Sequence, residues 1–276
     1  MECGLTNLAL CLPEKFLEYL VQFLNGSVEP LLHIVNYLLT EPVNINLFYA
    51  FWAIMVYIIS LFYGLFFLFA GINFMVSGYD SAKRENAKSW IRNIILMALC
   101  VQASFVIYNA ILEISSILTT STMGLIDPNF FLLTVDNIVN FALQFSLIIP
   151  YTLVLIITVL LLGLRYIFVA TGVVLFPFAF FFYFIPPLKS YGKLIFNIIL
   201  TSIFVTFFDA ILLFSASALV KVGIFSSFKI ILVTVAFLGV NLFMLILLVF
   251  AILKAVFGVM NSEVGRNVKK AVKYLI

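Results

Sequence analysis

Residues 47–76 read LFYAFWAIMVYIISLFYGLFFLFAGINFMV, a run of thirty residues without one charged side chain. The hydrocarbon core of a bilayer is about 30 Å thick, and a helix of about 20 apolar residues crosses it. A helix of thirty residues is longer than a perpendicular crossing requires, so it tilts or extends beyond the apolar layer. This segment predicts a transmembrane helix, and it indicates the fold class of the whole chain.

The composition of the chain agrees with a membrane location. Of the 276 residues, 65% are hydrophobic and 10% are charged, whereas an average globular protein is about one quarter charged. Phe alone accounts for 32 residues, too many for a soluble protein of this size. We expect no secretory signal, because the first 46 residues contain one Lys and five Glu and therefore lack a basic n-region. The chain is predicted to be a polytopic α-helical membrane protein, which excludes a soluble enzyme.

Four further charge-poor segments are long enough to cross a membrane. Together with residues 47–76 they predict five spans, the other four being 93–118, 140–164, 194–220 and 230–257.

The segment 166–185 admits two interpretations. As a straight helix it is about 30 Å long, enough to cross once. However, Pro177 lies in its middle, and basic residues flank it, with Arg165 before it and Lys189 after it. Since Lys and Arg favour the cytoplasmic face, a re-entrant hairpin broken at Pro177 is favoured over a crossing. The predicted fold is an all-α membrane bundle of five transmembrane helices plus a re-entrant hairpin, with six transmembrane helices as the alternative.

The distribution of Lys and Arg also predicts the topology. The loop 80–92 carries four basic residues, and the end of the chain from residue 254 carries five. Both are placed in the cytoplasm by the positive-inside rule, and the N-terminus is placed outside. The predicted regions are an extracytoplasmic N-terminal region, a transmembrane domain and a basic cytoplasmic tail, at 1–46, 47–257 and 258–276.

Both ends of the chain are predicted to form amphipathic helices. Residues 13–25 and 27–40 carry helix-spaced apolar side chains, and Ser27 is a plausible N-cap for the second of these helices. In the tail, Val and Leu alternate with basic residues at helical spacing. Such helices lie on a membrane surface, the basic one on the inner leaflet.

Motifs for catalysis or cofactor binding are missing from the sequence. One histidine, His33, and three cysteines are too few for a zinc site or for a Ser-His-acid triad, and no GxxxxGK[ST] or GxGxxG motif occurs. We therefore predict no enzyme activity and no cofactor. Cys3 and Cys11 either stay free or form a disulfide on an oxidising outer face. Cys100 is expected to be a small buried hydrophobic residue.

Polar side chains occur inside the predicted spans at helical spacing. Such residues are costly in lipid and usually face a partner or a watery interior. The sets that share a helix face are Gln102, Asn109, Glu113 and Ser116; Ser202, Thr206 and Asp209; and Asn137, Asn140 and Gln144, with Asn241 standing alone. Two explanations stay open for them: hydrogen bonds between helices, or the lining of a conduit.

Asp209 lies roughly in the middle of its span. A carboxylate at that depth is either neutral or paired, so Asp209 belongs to a conduit or to a structural ion pair. The candidate conduit or intramembrane polar residues are Gln102, Asn109, Glu113, Arg165, Ser202, Thr206 and Asp209. The small residues Ser60, Gly64 and Gly71 share one side of the first span, and close helix packing is the ordinary explanation for them.

Basic side chains near the predicted inner surface are candidates for contact with phosphate groups. The residues are Lys83, Arg84, Lys88, Arg92, Lys189 and Lys193. Nucleic-acid phosphates and the head groups of anionic lipids explain them equally well.

One stretch resembles a known family. Residues 165–193 read RYIFVATGVVLFPFAFFFYFIPPLKSYGK, with Arg-Tyr at the start, Pro177 in the middle, two prolines near the end and a closing Lys-x-Tyr-Gly-Lys. This pattern is similar to the CedA-like polytopic membrane subunit of archaeal DNA-import and conjugation systems. That family is related to the TrbL-type inner-membrane subunit of bacterial conjugative type IV secretion machines. The resemblance covers roughly residues 47–257.

The resemblance implies a conduit for DNA in the membrane. It also implies three kinds of partner: a separate cytoplasmic ATPase of HerA-like or conjugation type, small pilin-like membrane proteins, and further copies of the same subunit. The acidic N-terminal region would repel phosphate, so DNA contact is expected at the inner surface. Two alternatives stay open, namely a small-molecule or ion transporter, favoured by Pro177 and Asp209, and a non-transporting scaffold of a pilus or secretion complex.

Overall fold

The computed structural model describes residues 8–77, 81–133, 138–222, 225 and 228–260. These residues form long α-helices joined by short turns, and no strand occurs among them, so the predicted all-α class is confirmed. The helices are α1 (Leu8–Thr40), α2 (Tyr49–Val76), α3 (Ser81–Met123), α4 (Ile138–Phe184), α5 (Lys189–Val220) and α6 (Lys229–Met260).

Five of these helices, α2 to α6, are long and apolar enough to cross a membrane. The predicted number of five apolar spans is confirmed, and the chain is a multi-pass membrane protein. The candidate spans are Asn46–Val76, Ser81–Met123, Phe145–Phe184, Pro186–Val220 and Lys229–Phe250. The predicted loop 80–92 is helical from residue 81, because α3 begins at Ser81 and carries its basic residues in its first three turns.

The predicted break at Pro177 is wrong. Helix α4 runs without interruption for 47 residues, about 70 Å at 1.5 Å per residue, and includes both Pro150 and Pro177. A proline removes one backbone hydrogen bond, but membrane helices tolerate this where their neighbours compensate for it. The chain turns instead at Ile185, whose extended backbone leads into the short 3-10 turn Pro186–Leu188. The predicted third span and the ambiguous segment are therefore one helix.

The prediction of two short N-terminal helices is also wrong, because α1 is a single helix of 33 residues. Ser27 is not an N-cap. It lies inside the helix, where its hydroxyl donates to the carbonyl of Phe23 at 3.4 Å. Three valines that lie seven residues apart are buried, namely Val21, Val28 and Val35. Aromatic side chains such as Tyr19 are exposed. The predicted amphipathic character of this region is thus present along one continuous helix.

The chain forms two compact units. The first unit contains α1, α3 from Ser115, α4 as far as Arg165, α5 from Val205 and α6 as far as Leu245. The second unit contains α2, α3 as far as Ile114, α4 from Tyr166, α5 as far as Phe204 and α6 from Ile246.

In the first unit, hydrogen bonds tie α1 to residues far along the chain. Asn25 makes two of them with the backbone of Leu133, donating to its carbonyl at 3.1 Å and accepting from its N–H at 2.9 Å. The carbonyl of Thr40, at the end of α1, accepts from the hydroxyl of Ser116 at 2.6 Å. The last carbonyls of a helix lack partners inside it, so Ser116 completes the C-terminus of α1.

The core of the second unit is built from α2, α3, α4 and α5. Trp52 of α2 donates its indole N–H to the hydroxyl of Ser104 of α3 at 2.8 Å, with both side chains buried. The rings of Phe176, Phe180 and Phe196 meet edge to face, with centroids 4.8–5.3 Å apart. Such aromatic pairs add about 0.5–1.5 kcal/mol each beyond the area they bury.

Two glycines allow close approach in the second unit. A Cβ atom at Gly172 would lie 2.6 Å from the hydroxyl oxygen of Tyr108, which itself donates to the carbonyl of Val169 at 2.5 Å. A Cβ atom at Gly192 of α5 would meet backbone atoms of α4, among them the carbonyl oxygen of Ala179 at 2.7 Å. Real Cβ atoms do not approach this closely, so both positions require glycine.

Candidate functional site

Three of the four polar residues of α3 that were predicted to share a face lie on its exposed side, and the fourth, Ser116, is partly buried against the end of α1. Gln102 and Glu113 are exposed, and Asn109 is partly buried. The amide of Asn109 donates to the carboxylate of Glu113 at 2.6 Å. The apolar residue Val106, on the same face, is 71% exposed. The buried side of this helix carries Ser104 and Tyr108 instead, so the polar set faces away from the core of its own chain.

The polar residues of α5, in contrast, are buried or partly buried within the protein. Thr206 is 2% exposed and Asp209 is fully buried. Ser202 is partly buried, and its hydroxyl donates to the carbonyl of Ile198 at 2.9 Å. The two predicted stripes therefore differ in what they meet: the α3 set meets the surroundings of the chain, and the α5 set meets its interior.

Asp209 lacks a hydrogen-bond donor for either carboxylate oxygen in the part of the chain that the structure describes. Arg165 of α4, partly buried in the same unit, interacts with it electrostatically. An isolated carboxylate in an apolar interior is very costly, so a nearby positive charge or a bound proton must offset the cost. The structure thus places two predicted site residues from different helices, Arg165 and Asp209, within range of electrostatic interaction.

Asn241 of α6 makes a hydrogen bond between helices, which is one of the two explanations that the sequence left open for it. Its amide donates at 3.3 Å to the carbonyl of Val154 in α4, and its own carbonyl oxygen is buried without a partner among the described residues. Thr158, fully buried and not singled out from the sequence, donates to the same Val154 carbonyl at 2.9 Å. A threonine in an otherwise aliphatic segment was the signal that could have found it.

The packing of α5 against α6 shows the level at which Asn241 lies. The side chain of Leu212 lies beside Gly239, and the ring of Phe208 lies 6.0 Å from that of Phe243. Both contacts fit an antiparallel pair in which residue 209 lies level with residues 241 and 242. Asp209 and Asn241 therefore occupy the same depth of the first unit.

The six basic residues that were predicted to contact phosphate are all exposed, and all belong to the second unit. Two of them lie over aromatic rings. The guanidinium of Arg84 is 5.7 Å from the ring centroid of Phe74, and the ammonium of Lys189 is 5.4 Å from that of Tyr183. Such cation–π contacts fix the position of a charge while leaving its outer side accessible.

Several other expectations have different outcomes. A Cβ atom at Gly64 or Gly71 would meet nothing within 4 Å, so these glycines do not provide close packing within the chain. Cys100 is a free, partly buried thiol. Cys3 and Asn137 lie outside the described residues, as does the tail from residue 261, and the structure does not describe the side chains of Cys11, Asn140 and Gln144.

Among the described residues, no group of three or more His, Cys, Asp or Glu side chains is placed to hold a metal ion. Comparison of the chain with protein-family models, with curated proteins and with solved structures found no match. The case for a function therefore rests on the residues and their arrangement.

Proposed function

We propose that the chain is a membrane-embedded conduit subunit of a DNA-import or conjugative DNA-transfer machine. It has no enzyme activity in this proposal and needs no cofactor. A separate cytoplasmic ATPase of HerA-like or conjugation type supplies the energy, and small pilin-like membrane proteins assemble beside it. Several copies of the subunit together surround the path of the DNA.

The exposed polar face of α3 is the observation that carries this proposal. Gln102 lies among exposed apolar residues on a helix long enough to span the membrane, and it makes no hydrogen bond within the described part of the chain. An amide without a hydrogen bond costs about 4–8 kcal/mol in a purely hydrocarbon medium. A watery path between copies would remove this cost for Gln102 and would solvate Glu113, which lies nearer the end of the span.

The stretch that resembles the CedA-like family supports the same proposal. Residues 165–193 form the end of α4, the turn after it and the first residues of α5. Gly192 allows the start of α5 to lie close against the backbone of α4. Lys189 and Lys193, on either side of Gly192 in the sequence, are exposed near the end of α4. These lysines, together with Lys83 and Arg84 in the first turn of α3, are the proposed contacts for DNA phosphates at the inner surface.

Deletion of the gene, with complementation by variants, tests the proposal. We expect loss of DNA uptake or transfer in the deletion strain and no ATPase activity in the purified protein. Gln102→Leu combined with Glu113→Gln removes one amide and the negative charge from the α3 face and leaves the core untouched. This variant is expected to reach the membrane at the normal level and to transfer DNA poorly. DNA transfer at the normal level in the complete deletion would rule out an essential conduit.

Val106→Leu is the matched control, because Val106 lies on the same exposed face and the substitution keeps the face apolar there. It should transfer DNA like the wild type. If it were as defective as the Gln102/Glu113 variant, the shape of the face would matter rather than its polarity, and a packing role would be favoured over a watery path.

A small-molecule or ion transporter is the second candidate, and the burial of Asp209 favours it. Intramembrane carboxylates are common in the substrate and proton sites of transporters. Flux into vesicles that contain the purified protein distinguishes the two. A flux that requires Asp209 but not Gln102, with normal DNA transfer in the deletion strain, would make the transporter the better description.

A further inference from the structure

A small cleft opens on the surface of α3 in the second unit. It has a volume of about 300 Å³ and is lined by Lys88, Arg92, Ile91, Ile95 and Leu96. A volume of this size is at the lower end of the range for ligand sites, about 300–1,000 Å³. It suits part of a ligand, such as a head group with the beginning of a chain, rather than a large molecule.

The lining residues are ordered along the helix. Lys88 and Arg92 lie one turn apart on the same face, at the charged start of α3. Ile95 and Leu96 follow toward the apolar part of the helix, where they are 47% and 42% exposed. A ligand that lies along this face therefore meets two positive charges first and aliphatic side chains next.

An aromatic residue marks the depth of the cleft. Trp90 lies between the two basic residues in the sequence, and its ring packs 5.7 Å from that of Phe69 in α2. Tryptophan is enriched at the boundary between lipid head groups and hydrocarbon. The position of Trp90 therefore favours head-group level for the cations of the cleft, with its aliphatic part toward the hydrocarbon.

We infer that an anionic phospholipid occupies this cleft. Its phosphate lies between Lys88 and Arg92, and an acyl chain runs along Ile91, Ile95 and Leu96. DNA satisfies only half of this arrangement, because a DNA phosphate pairs with the cations but leaves the aliphatic side chains uncovered. The inference does not depend on the proposed function.

Titration of phosphatidylglycerol into the detergent-purified full chain tests the inference, with bound lipid counted by native mass spectrometry. Lys88→Gln combined with Arg92→Gln is expected to weaken binding about 30-fold, because each cation near an anionic head group contributes about fivefold. Phosphatidylcholine should bind weakly to wild type and variant alike. Equal phosphatidylglycerol affinity in the wild type and the variant would overturn the inference.

Lys189→Gln combined with Lys193→Gln is the matched control. It removes the same charge from exposed positions of the same unit that do not line the cleft. Its phosphatidylglycerol affinity should stay within about twofold of the wild type, since screened charges outside the site contribute little. A loss as large as that of the cleft variant would mean that net charge alone attracts the lipid, which contradicts a defined site.

Two further measurements separate the sources of the phosphate. Glycerol 3-phosphate, which has no acyl chain, should not displace the lipid, and displacement at equal concentration would contradict the role of the aliphatic residues. A short DNA duplex should bind equally to the wild type and to the Lys88/Arg92 variant. If the variant lost DNA and kept lipid, the cleft would be a nucleic-acid contact instead. Thermal unfolding of each variant, measured in parallel, confirms that it is folded.

Discussion

Substitution of Gly172 by Ala should reveal how tightly α4 packs around Tyr108. The added methyl group would lie 2.6 Å from the hydroxyl oxygen of Tyr108. The side chain of Tyr108 is fully buried, so it has no free space into which it can move. Overpacking of a core typically costs about 1–3 kcal/mol. Displacing the hydroxyl also weakens its hydrogen bond to Val169, worth about 1 kcal/mol. Because alanine favours a helix over glycine by about 1 kcal/mol, we expect a net loss of about 1–3 kcal/mol in the free energy of unfolding.

Removal of the Tyr108 hydroxyl should cancel most of that loss. In Tyr108→Phe the next atom near the new methyl group is ring carbon Cζ at 3.6 Å, an ordinary van der Waals contact. Tyr108→Phe alone should cost about 1 kcal/mol through the lost hydrogen bond. Adding Gly172→Ala to it should then cost almost nothing, because alanine favours a helix over glycine by about 1 kcal/mol. The two substitutions are thus strongly coupled.

Thermal unfolding of the four proteins in detergent measures the coupling. The expected loss for Gly172→Ala corresponds to a fall in Tm of roughly 2–12 °C. Gly64→Ala is the control, since a Cβ atom there meets nothing within 4 Å, and it should leave Tm unchanged or slightly raised. If the effects of Gly172→Ala and Tyr108→Phe were additive within about 0.5 kcal/mol, the proposed steric cause would be refuted.

Three further predictions follow from contacts in the two units. Gly192→Ala should lower the free energy of unfolding by about 3 kcal/mol and lower the yield of folded protein, because the methyl group would meet the backbone of α4 rather than a movable side chain. A Tm equal to that of the wild type would contradict this. Asp209→Leu should lower the level of the protein in the membrane, since it removes the carboxylate that offsets part of the charge of Arg165, and Arg165→Leu in the same chain should restore the level. Quantitative blotting of membranes decides the matter. The hydrogen bond from Lys15, and to a smaller extent the charge of Lys15, lowers the pKa of Glu18 below its ordinary value of 4.5. This contact therefore stabilises α1 at neutral pH, and the stabilisation is lost as the pH falls through the lowered pKa. NMR titration should show the pKa of Glu18 returning toward its ordinary value in Lys15→Gln.

The spans were predictable because their signal is local. The charge-free run 47–76 becomes α2 almost residue for residue, since hydrocarbon excludes charge whatever the neighbouring helices do. The continuity of α4 through Pro177 was not predictable in this way. Whether a proline interrupts a membrane helix depends on the groups that surround it, and these become known only once the other helices are in place.

The candidate site was predictable only in part, for a similar reason. Helical spacing shows that Gln102 and Glu113 share a face, and that Thr206 and Asp209 share another. It does not show which face is covered, because apart from these few residues both spans are apolar on every side and the usual contrast between a polar and an apolar side is weak. The electrostatic interaction between Arg165 and Asp209 joins residues from two helices, and no spacing within either helix specifies it.

The two hydrogen bonds between Asn25 and Leu133 have a consequence for the order of events during synthesis. These residues are separated by 108 positions, so at about 5–20 residues per second a growing chain adds Leu133 roughly 5–20 s after Asn25. For most of that interval, until Ser115 is added, the valine face of α1 has no partner from its own unit. The nascent helix must therefore be accommodated elsewhere, and its aromatic and valine side chains suit the surface of the membrane into which α2 is meanwhile inserted. A chain that ends before Ser115 would leave α1 at that surface, accessible to proteases that the complete protein resists.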